Sequence, residues 1–289
     1  SGWDSIQSFW VYLIGAFVAG FCMCMLNCVV NPMLNTLGGG GNKGNQLIQF
    51  GGVLNSFSAV FVTILMGSLI GDATKAQISQ ATPALFIALA IFAIAFVVLL
   101  ISRIPEPAAE AEAAAAKSDK KDPHSAFSFR HFKLGILAIF LYLGVEVGTP
   151  TYILQYLTSA ADAATPGFGM DAGIAATLVA MYWLLMLVGR LLGGIIAGKV
   201  SSKALLTGVS VATLVLVLVG MFAPTDTLVT AFGFEGSTGR FVTCEVPVGI
   251  FALVLVGLCT SVMWGAIFNL AVEGLGKYTA IASGAFMTM

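Results

Sequence analysis

Glu146 is the acidic residue that lies deep inside an apolar run, and it has the most chemistry to offer. It follows Lys133 by thirteen positions, about 20 Å along a helix, which places it near the middle of a bilayer. Tyr142, Glu146 and Thr149 fall on one helix face. Pro150 has no N–H to give to the carbonyl of Glu146, so a free acceptor is expected beside the carboxyl. Such a group can cycle a proton, hold a sodium ion or bond a sugar hydroxyl. A paired structural glutamate is the plainer use of the same residue.

Amides form the second set. Asn27 and Asn31 lie four apart on one face, and Pro32 can bend the helix that carries them. Gln49 and Asn55 stand in the next apolar run, Asn55 about 15 Å in. Amide side chains both donate and accept, which suits a hydroxyl-rich ligand; they also glue helices together in lipid. Trp264 and Trp183 are mid-span and can stack on a pyranose or pack in a core. Arg190, between Gly189 and Gly193, fits a gate or a carbonyl contact better than a sugar site. Tyr152, Gln155 and Tyr156 are placed at an outer vestibule, Trp3 and Trp10 at membrane interfaces.

Enzymatic patterns are missing from the sequence. It has no G-x-S-x-G and no H-E-x-x-H, and no aspartate sits deep in a span. Both histidines, His124 and His131, are in or beside a charged connection. Cys22, Cys24, Cys28 and Cys259 lie in apolar runs and Cys244 in a loop, without the pattern of a disulfide framework or a metal site.

The elements that must position these residues are membrane helices. Hydrophobic residues make up 58% of the chain and charged ones 9%, against about 25% charged in soluble proteins. Mean hydropathy is +0.96. Seven continuous apolar runs are long enough to cross about 30 Å of hydrocarbon: roughly 8–34, 46–70, 84–104, 133–157, 172–197, 203–223 and 247–273. An eighth begins near Ala280. Lys43, Arg103, Lys117, Lys120, Lys121, Arg130, Lys133, Lys199, Lys203 and Lys277 fall on one side, and only Lys75 and Arg240 on the other. The first side is therefore read as cytoplasmic, with Ser1 outside. The charged, Ala-rich stretch 105–132 reads as a flexible cytoplasmic linker between 1–104 and 133–289.

One internal repeat stands out. Asn31-x5-Leu37-Gly38 ends the first run and Asn269-x5-Leu275-Gly276 the seventh, in the same orientation. Parallel repeats of this kind relate the halves of a two-bundle transporter. The second copy has three runs before it and after the linker, the first has none. The chain therefore reads as helices four to ten and part of eleven of a twelve-helix protein. About as many residues as separate Lys133 from Pro247 are expected before Ser1.

Asn27-Cys-Val-Val-Asn31-Pro32, Leu37-Gly38 and Leu54-Asn55-Ser56-Phe57 resemble helices four and five of the fucose permease family. This is the fucose–galactose–glucose:proton symporter branch of the major facilitator superfamily. Tyr142-Leu-Gly144-Val-Glu146-Val-Gly148 resembles its helix seven, Gly189-Arg190-Leu-Leu-Gly193 its helix eight, and Ala266-Ile-Phe268-Asn-Leu270 its helix ten. Two departures are visible. Asn27 stands where a fucose-transporting member has a glutamate, and Gly194-Ile-Ile-Ala-Gly198-Lys199 lacks the aspartate of the superfamily's loop motif.

The resemblance implies an all-α integral membrane protein of two six-helix bundles, here incomplete, with seven full spans and part of an eighth. It implies cation-coupled symport of a monosaccharide, with an efflux antiporter for amphipathic molecules as the alternative. Asn27, Asn31, Gln49, Asn55, Tyr142, Glu146 and Trp264 are the expected substrate residues. Glu146 is also the coupling residue, and Arg190, Pro32 and Pro150 are gating or structural. The expected partners are the sugar, a coupling proton or sodium ion, and the lipid bilayer of a bacterial inner membrane. A monomer without metal, other cofactor or nucleic acid is expected.

Overall fold

The computed structural model describes residues 6–39, 41–70, 82–102, 125–161, 163, 166–235 and 240–288. Trp3, Lys75 and positions 105–124 of the expected linker lie outside them. The described residues form nine helices: α1 (Ile6–Leu37), α2 (Gly41–Ile70), α3 (Thr82–Ile101), α4 (Arg130–Thr158), α5 (Ala172–Ala197), α6 (Ser202–Phe222), α7 (Val248–Thr260), α8 (Met263–Val272) and α9 (Thr279–Thr288). Taking α7 and α8 together, seven segments are long and apolar enough to cross a membrane.

Helix boundaries follow local chemistry. Asp171 caps α5, its carboxylate accepting from the N–H groups of Gly173 (2.9 Å) and Ile174 (3.3 Å). Ser201 caps α6 by accepting from Ala204 N–H at 3.3 Å. The two N-x5-L-G repeats both end in a reversal that needs left-handed glycine. Gly39 has φ +79° after α1, and Gly274 and Gly276 have φ +75° and +53° after α8. Of the expected linker, residues 125–132 carry a 3-10 turn (Ala126–Ser128) and the start of α4. There Ala126 and Phe132 are buried against α8 and α9.

Two features depart from the sequence reading. The run 247–273 is not one helix: it breaks between Thr260 and Met263. Thr260 Oγ1 donates back to the carbonyl of Val256 (3.1 Å) and Ser261 Oγ to that of Leu258 (2.6 Å), the pattern by which hydroxyl residues bend a helix. Residues 223–246, read as a loop, hold an antiparallel hairpin, β1 (Leu228–Glu235) and β2 (Arg240–Pro247), with Phe234 opposite Phe241. Its inner face packs on the start of α5, where Thr177 Oγ1 accepts from Phe234 N–H at 3.0 Å. Cys244 is thus a strand residue, facing Ala231.

Packing centres on α5, which touches α2 on one side and α7 on the other. Its Gly189, Gly193 and Gly194 let those neighbours close in: a Cβ on Gly194 would lie 3.1 Å from the Phe50 ring of α2. One buried cluster joins α4, α8 and α9 around Phe132, Phe268 and Phe286. Another joins α4, α5, α7 and the hairpin around Tyr182, Met186 and Val246. α1 meets α9, where Cys24 Sγ lies 3.2 Å from the carbonyl of Met287.

Candidate functional site

Between α1, α2, α4, α5, α8 and α9 lies a cavity of about 350 Å³, within the roughly 300–1,000 Å³ of small-molecule sites. Asn27, Asn31, Gln49, Asn55, Glu146 and Trp264 all line it, with Arg190. Tyr142 does not: it is buried, 4% exposed, in the cluster of α4 and α8. Trp183 is also elsewhere, edge-on to Tyr182 at 5.3 Å. Tyr152 and Tyr156 stack at 6.0 Å and line a second, more apolar cavity of about 600 Å³ between α4, α6 and α7. Gln155 and Trp10 are exposed and line neither.

Each helix contributes one kind of group. From α1, Asn31 Nδ2 donates to the carbonyl of Asn27 at 3.2 Å and approaches its Oδ1 at 3.4 Å. The two amides are therefore one unit on one face. α1 runs unbroken through Pro32, and Thr36 Oγ1 donates to the Pro32 carbonyl at 2.9 Å. From α2 come Gln49, 2% exposed, whose Nε2 donates to the Val262 carbonyl at 3.0 Å, and Asn55, which is exposed on the cavity wall. Gln49 thus spends a donor on the break between α7 and α8. From α8 comes Trp264, stacked on Phe268 with ring centroids 5.5 Å apart.

The charged pair is the centre of the site. Arg190 on α5 is 7% exposed. Its Nη1 donates to the carbonyl of Gly52 on α2 at 2.6 Å, and its Nη2 lies 3.5 Å from Glu146 Oε1 on α4. One guanidinium therefore ties together three helices. Gly52 is what lets it reach: a Cβ there would lie 2.8 Å from Nη1. Buried charges are tolerated in such a place only when paired and hydrogen-bonded.

α4 continues through Pro150 to Thr158. The Glu146 carbonyl that Pro150 leaves without a helical partner accepts from Tyr182 Oη on α5 at 3.1 Å. Tyr182 Oη also lies 3.2 Å from Thr260 Oγ1 on α7. Sequence reasoning found the free acceptor and missed its donor. The signal was present: a mid-span tyrosine on the next helix needs a partner for its hydroxyl. α5 thus holds Glu146 twice, by backbone through Tyr182 and by side chain through Arg190.

The arrangement can bind a neutral polyhydroxy ligand through amides, offer it an aromatic face, and exchange a cation at a carboxylate whose counter-charge is fixed nearby. Among the described residues no group of three or more histidine, cysteine, aspartate or glutamate side chains is placed to hold a metal ion.

Comparison with known proteins gives a consistent result. The sequence matches the Major Facilitator Superfamily over residues 2–289. It is 28% identical to the glucose/galactose transporter of Brucella abortus over 97% of this chain and 62% of that protein. It is 24% identical to the putative glucose/galactose transporter of Helicobacter pylori, over 96% of this chain and 62% of that one. It is 21% identical to the L-fucose-proton symporter of Escherichia coli, again over 96% and 62%. The chain thus spans about 62% of the length of these relatives. The fold is that of a crystal structure of the transporter FucP in the outward conformation: TM-score 0.69, 20% identity, 99% of this chain and 67% of that one.

Proposed function

Because the chain belongs to the Major Facilitator Superfamily, we propose that it serves secondary active transport of a monosaccharide of the glucose, galactose or fucose type. Transport runs by alternating access, in symport with a proton or a sodium ion. The observation that carries this reading is the pairing of Glu146 with Arg190 at the wall of an amide-lined cavity. A carboxylate that must trade its arginine for a cation, beside donors and acceptors that fit sugar hydroxyls, has the parts of a symport site. Relatives named as glucose/galactose transporters and as an L-fucose-proton symporter support the substrate class.

The assigned roles follow the geometry. Asn27, Asn31 and Asn55 bind hydroxyls, Trp264 stacks on the ring, Glu146 couples, and Gln49 and Arg190 hold the wall while lining it. The helices α1–α3 are assigned to the second half of an amino-terminal bundle and 133–289 to a carboxy-terminal one. The stretch 105–132 is the cytoplasmic connection, and a bacterial inner membrane houses a monomer.

The test is Glu146→Gln in the full-length protein. An amide keeps the shape but cannot gain or lose a proton or bind sodium as a carboxylate does. Concentrative uptake is expected to vanish while sugar binding or exchange survives; accumulation driven unchanged by a pH or sodium gradient ends the coupling role. Asn55→Ala removes one hydroxyl partner and is expected to weaken sugar affinity about five- to a hundredfold. Export of amphipathic small molecules, with no response to hexoses, would favour the efflux antiporter instead.

A further inference from the structure

The function proposed above uses the cavity and leaves unexplained how the molecule is sealed below it, at the end where Lys43, Lys199 and Lys203 lie. There α2 presents a row of neutral amides to the other helices. Asn45 is 0% exposed and donates from Nδ2 to Ser202 Oγ on α6 at 3.4 Å. Gln46 Nε2 donates to the carbonyl of Gly194 on α5 at 2.8 Å, and Gln49 Nε2 to that of Val262 at 3.0 Å. From the far side Asn269 on α8 donates to the same Ser202 Oγ at 3.0 Å. Asn269 opens the second N-x5-L-G repeat, so a motif residue that the cavity does not use is used here.

We propose that Asn45, Gln46 and Gln49 form a neutral latch, engaged on Ser202, Gly194 and Val262, that seals the Lys43 end of the cavity and must let go before the cavity can open there. Three properties fit a latch better than permanent glue. The latch donors all come from one helix turn of α2, so a single rotation or tilt of α2 releases them together. None of them is charged, so release needs no proton, and because α2 also carries Gly52, whose carbonyl accepts from Arg190 Nη1 at 2.6 Å, the same movement is felt at the coupling pair.

The third property is incomplete satisfaction. Asn45 Oδ1 is fully buried without a hydrogen-bond partner. With no protein partner on that oxygen, the amide is held on one side only, by its donor to Ser202. Gly265 on α8 is what permits the fit, since a Cβ there would lie 2.5 Å from Asn45 Oδ1 and 2.8 Å from Gln49 Nε2.

The inference rests on the transport reading, and its test separates the two. Leu34→Cys places a thiol on the cavity wall, in a full-length protein from which the native cysteines have been replaced. Inside-out and right-side-out vesicles are then labelled with a membrane-impermeant maleimide, and sugar binding is measured on the same vesicles. Asn45→Ala with Gln49→Leu is expected to raise labelling from the Lys43 side at least about tenfold and lower it from the other. Gly265→Ala, which leaves every amide in place, is expected to shift labelling the same way. Ser202→Thr, which keeps the hydroxyl, should leave it unchanged. Sugar binding that persists with labelling unchanged in both the amide and the glycine variants overturns the latch. Labelling that shifts in the variants while the cysteine-replaced parent, with every amide in place, binds no hexose supports the latch and overturns the substrate reading alone.

Discussion

Over the most apolar stretch of α1, and over that of α3, no residue is buried, whereas over that of α5 56% are and over the α7–α8 pair 72%. The helices from α4 onward hold one another by interlocked side chains, in two clusters with aromatic centres. α1 and α3 instead turn Phe17, Phe92 and Leu100 outward, 75%, 64% and 70% exposed. In the whole protein, of which this chain spans about 62% by the length of its relatives, lipid and neighbouring helices can cover such faces alike, because hydrocarbon is as apolar as the side chains. What attaches this first region is chiefly α2, which packs closely on α5 with Phe50 against Gly194 and Ile48 in the core, and which adds hydrogen bonds: Asn45, Gln46 and Gln49 give donors, Gly52 gives a carbonyl. The hydrogen bonds of that seam join neutral groups, apart from Arg190, and can be released and refastened without moving a proton. The proposed alternating access would use contacts of that kind at the seam between the two regions.

The contrast can be broken most severely at Arg190, where both regions meet one guanidinium. Arg190→Met leaves Glu146 without its cation, and a broken buried pair costs about 3–5 kcal/mol. Thermal unfolding in detergent should show that loss. Adding Glu146→Gln should restore most of it while uptake stays absent. Next comes Phe132, fully buried in the second region. Phe132→Ala should destabilise by about 3–5 kcal/mol, and a change below about 1 kcal/mol would show that this core is not what holds α4 to α9.

A finer test is Gly52→Ala, which drives a methyl into Arg190. Overpacking of about 1–3 kcal/mol is expected, together with weaker coupling, measured as accumulation at a fixed gradient. The smallest effect should come from the first region: Phe92→Ala on α3 should stay within about 0.5 kcal/mol in detergent or bilayer. A large loss there would mean that α3 packs against protein rather than lipid.

The spans were readable because crossing hydrocarbon demands a long apolar run, and every one of the seven leaves that mark. The amides of the cavity were readable because a polar group in such a run is costly enough to need a reason. The hairpin was not, because two eight-residue alternating strands between spans carry little signal beside helices of twenty or more. The break at Ser261 has no proline to mark it; the back-bonded hydroxyls of Thr260 and Ser261 lie there, yet the same bond at Thr151 and Thr213 leaves α4 and α6 unbroken, so it could not be read from residue type. Partners across helices were least readable. That Arg190 meets a carbonyl fits its expected part, but that the carbonyl is Gly52's depends on how α2 and α5 are rotated about their axes, which no single run encodes.

Tyr182 has a consequence for how the protein is made. As α4 leaves the ribosome and enters the membrane, Pro150 leaves the Glu146 carbonyl bare in hydrocarbon, where an unmatched peptide group costs several kcal/mol. The hydroxyl that covers it lies 36 residues further along the chain, about 2–7 s of synthesis at roughly 5–20 residues per second. Until then α4 is an incomplete membrane helix, best kept beside the insertion machinery and out of open lipid. Integration of α4 is therefore tied to the arrival of α5, and Tyr182→Phe should slow the release of the pair into the bilayer as well as loosen the finished site.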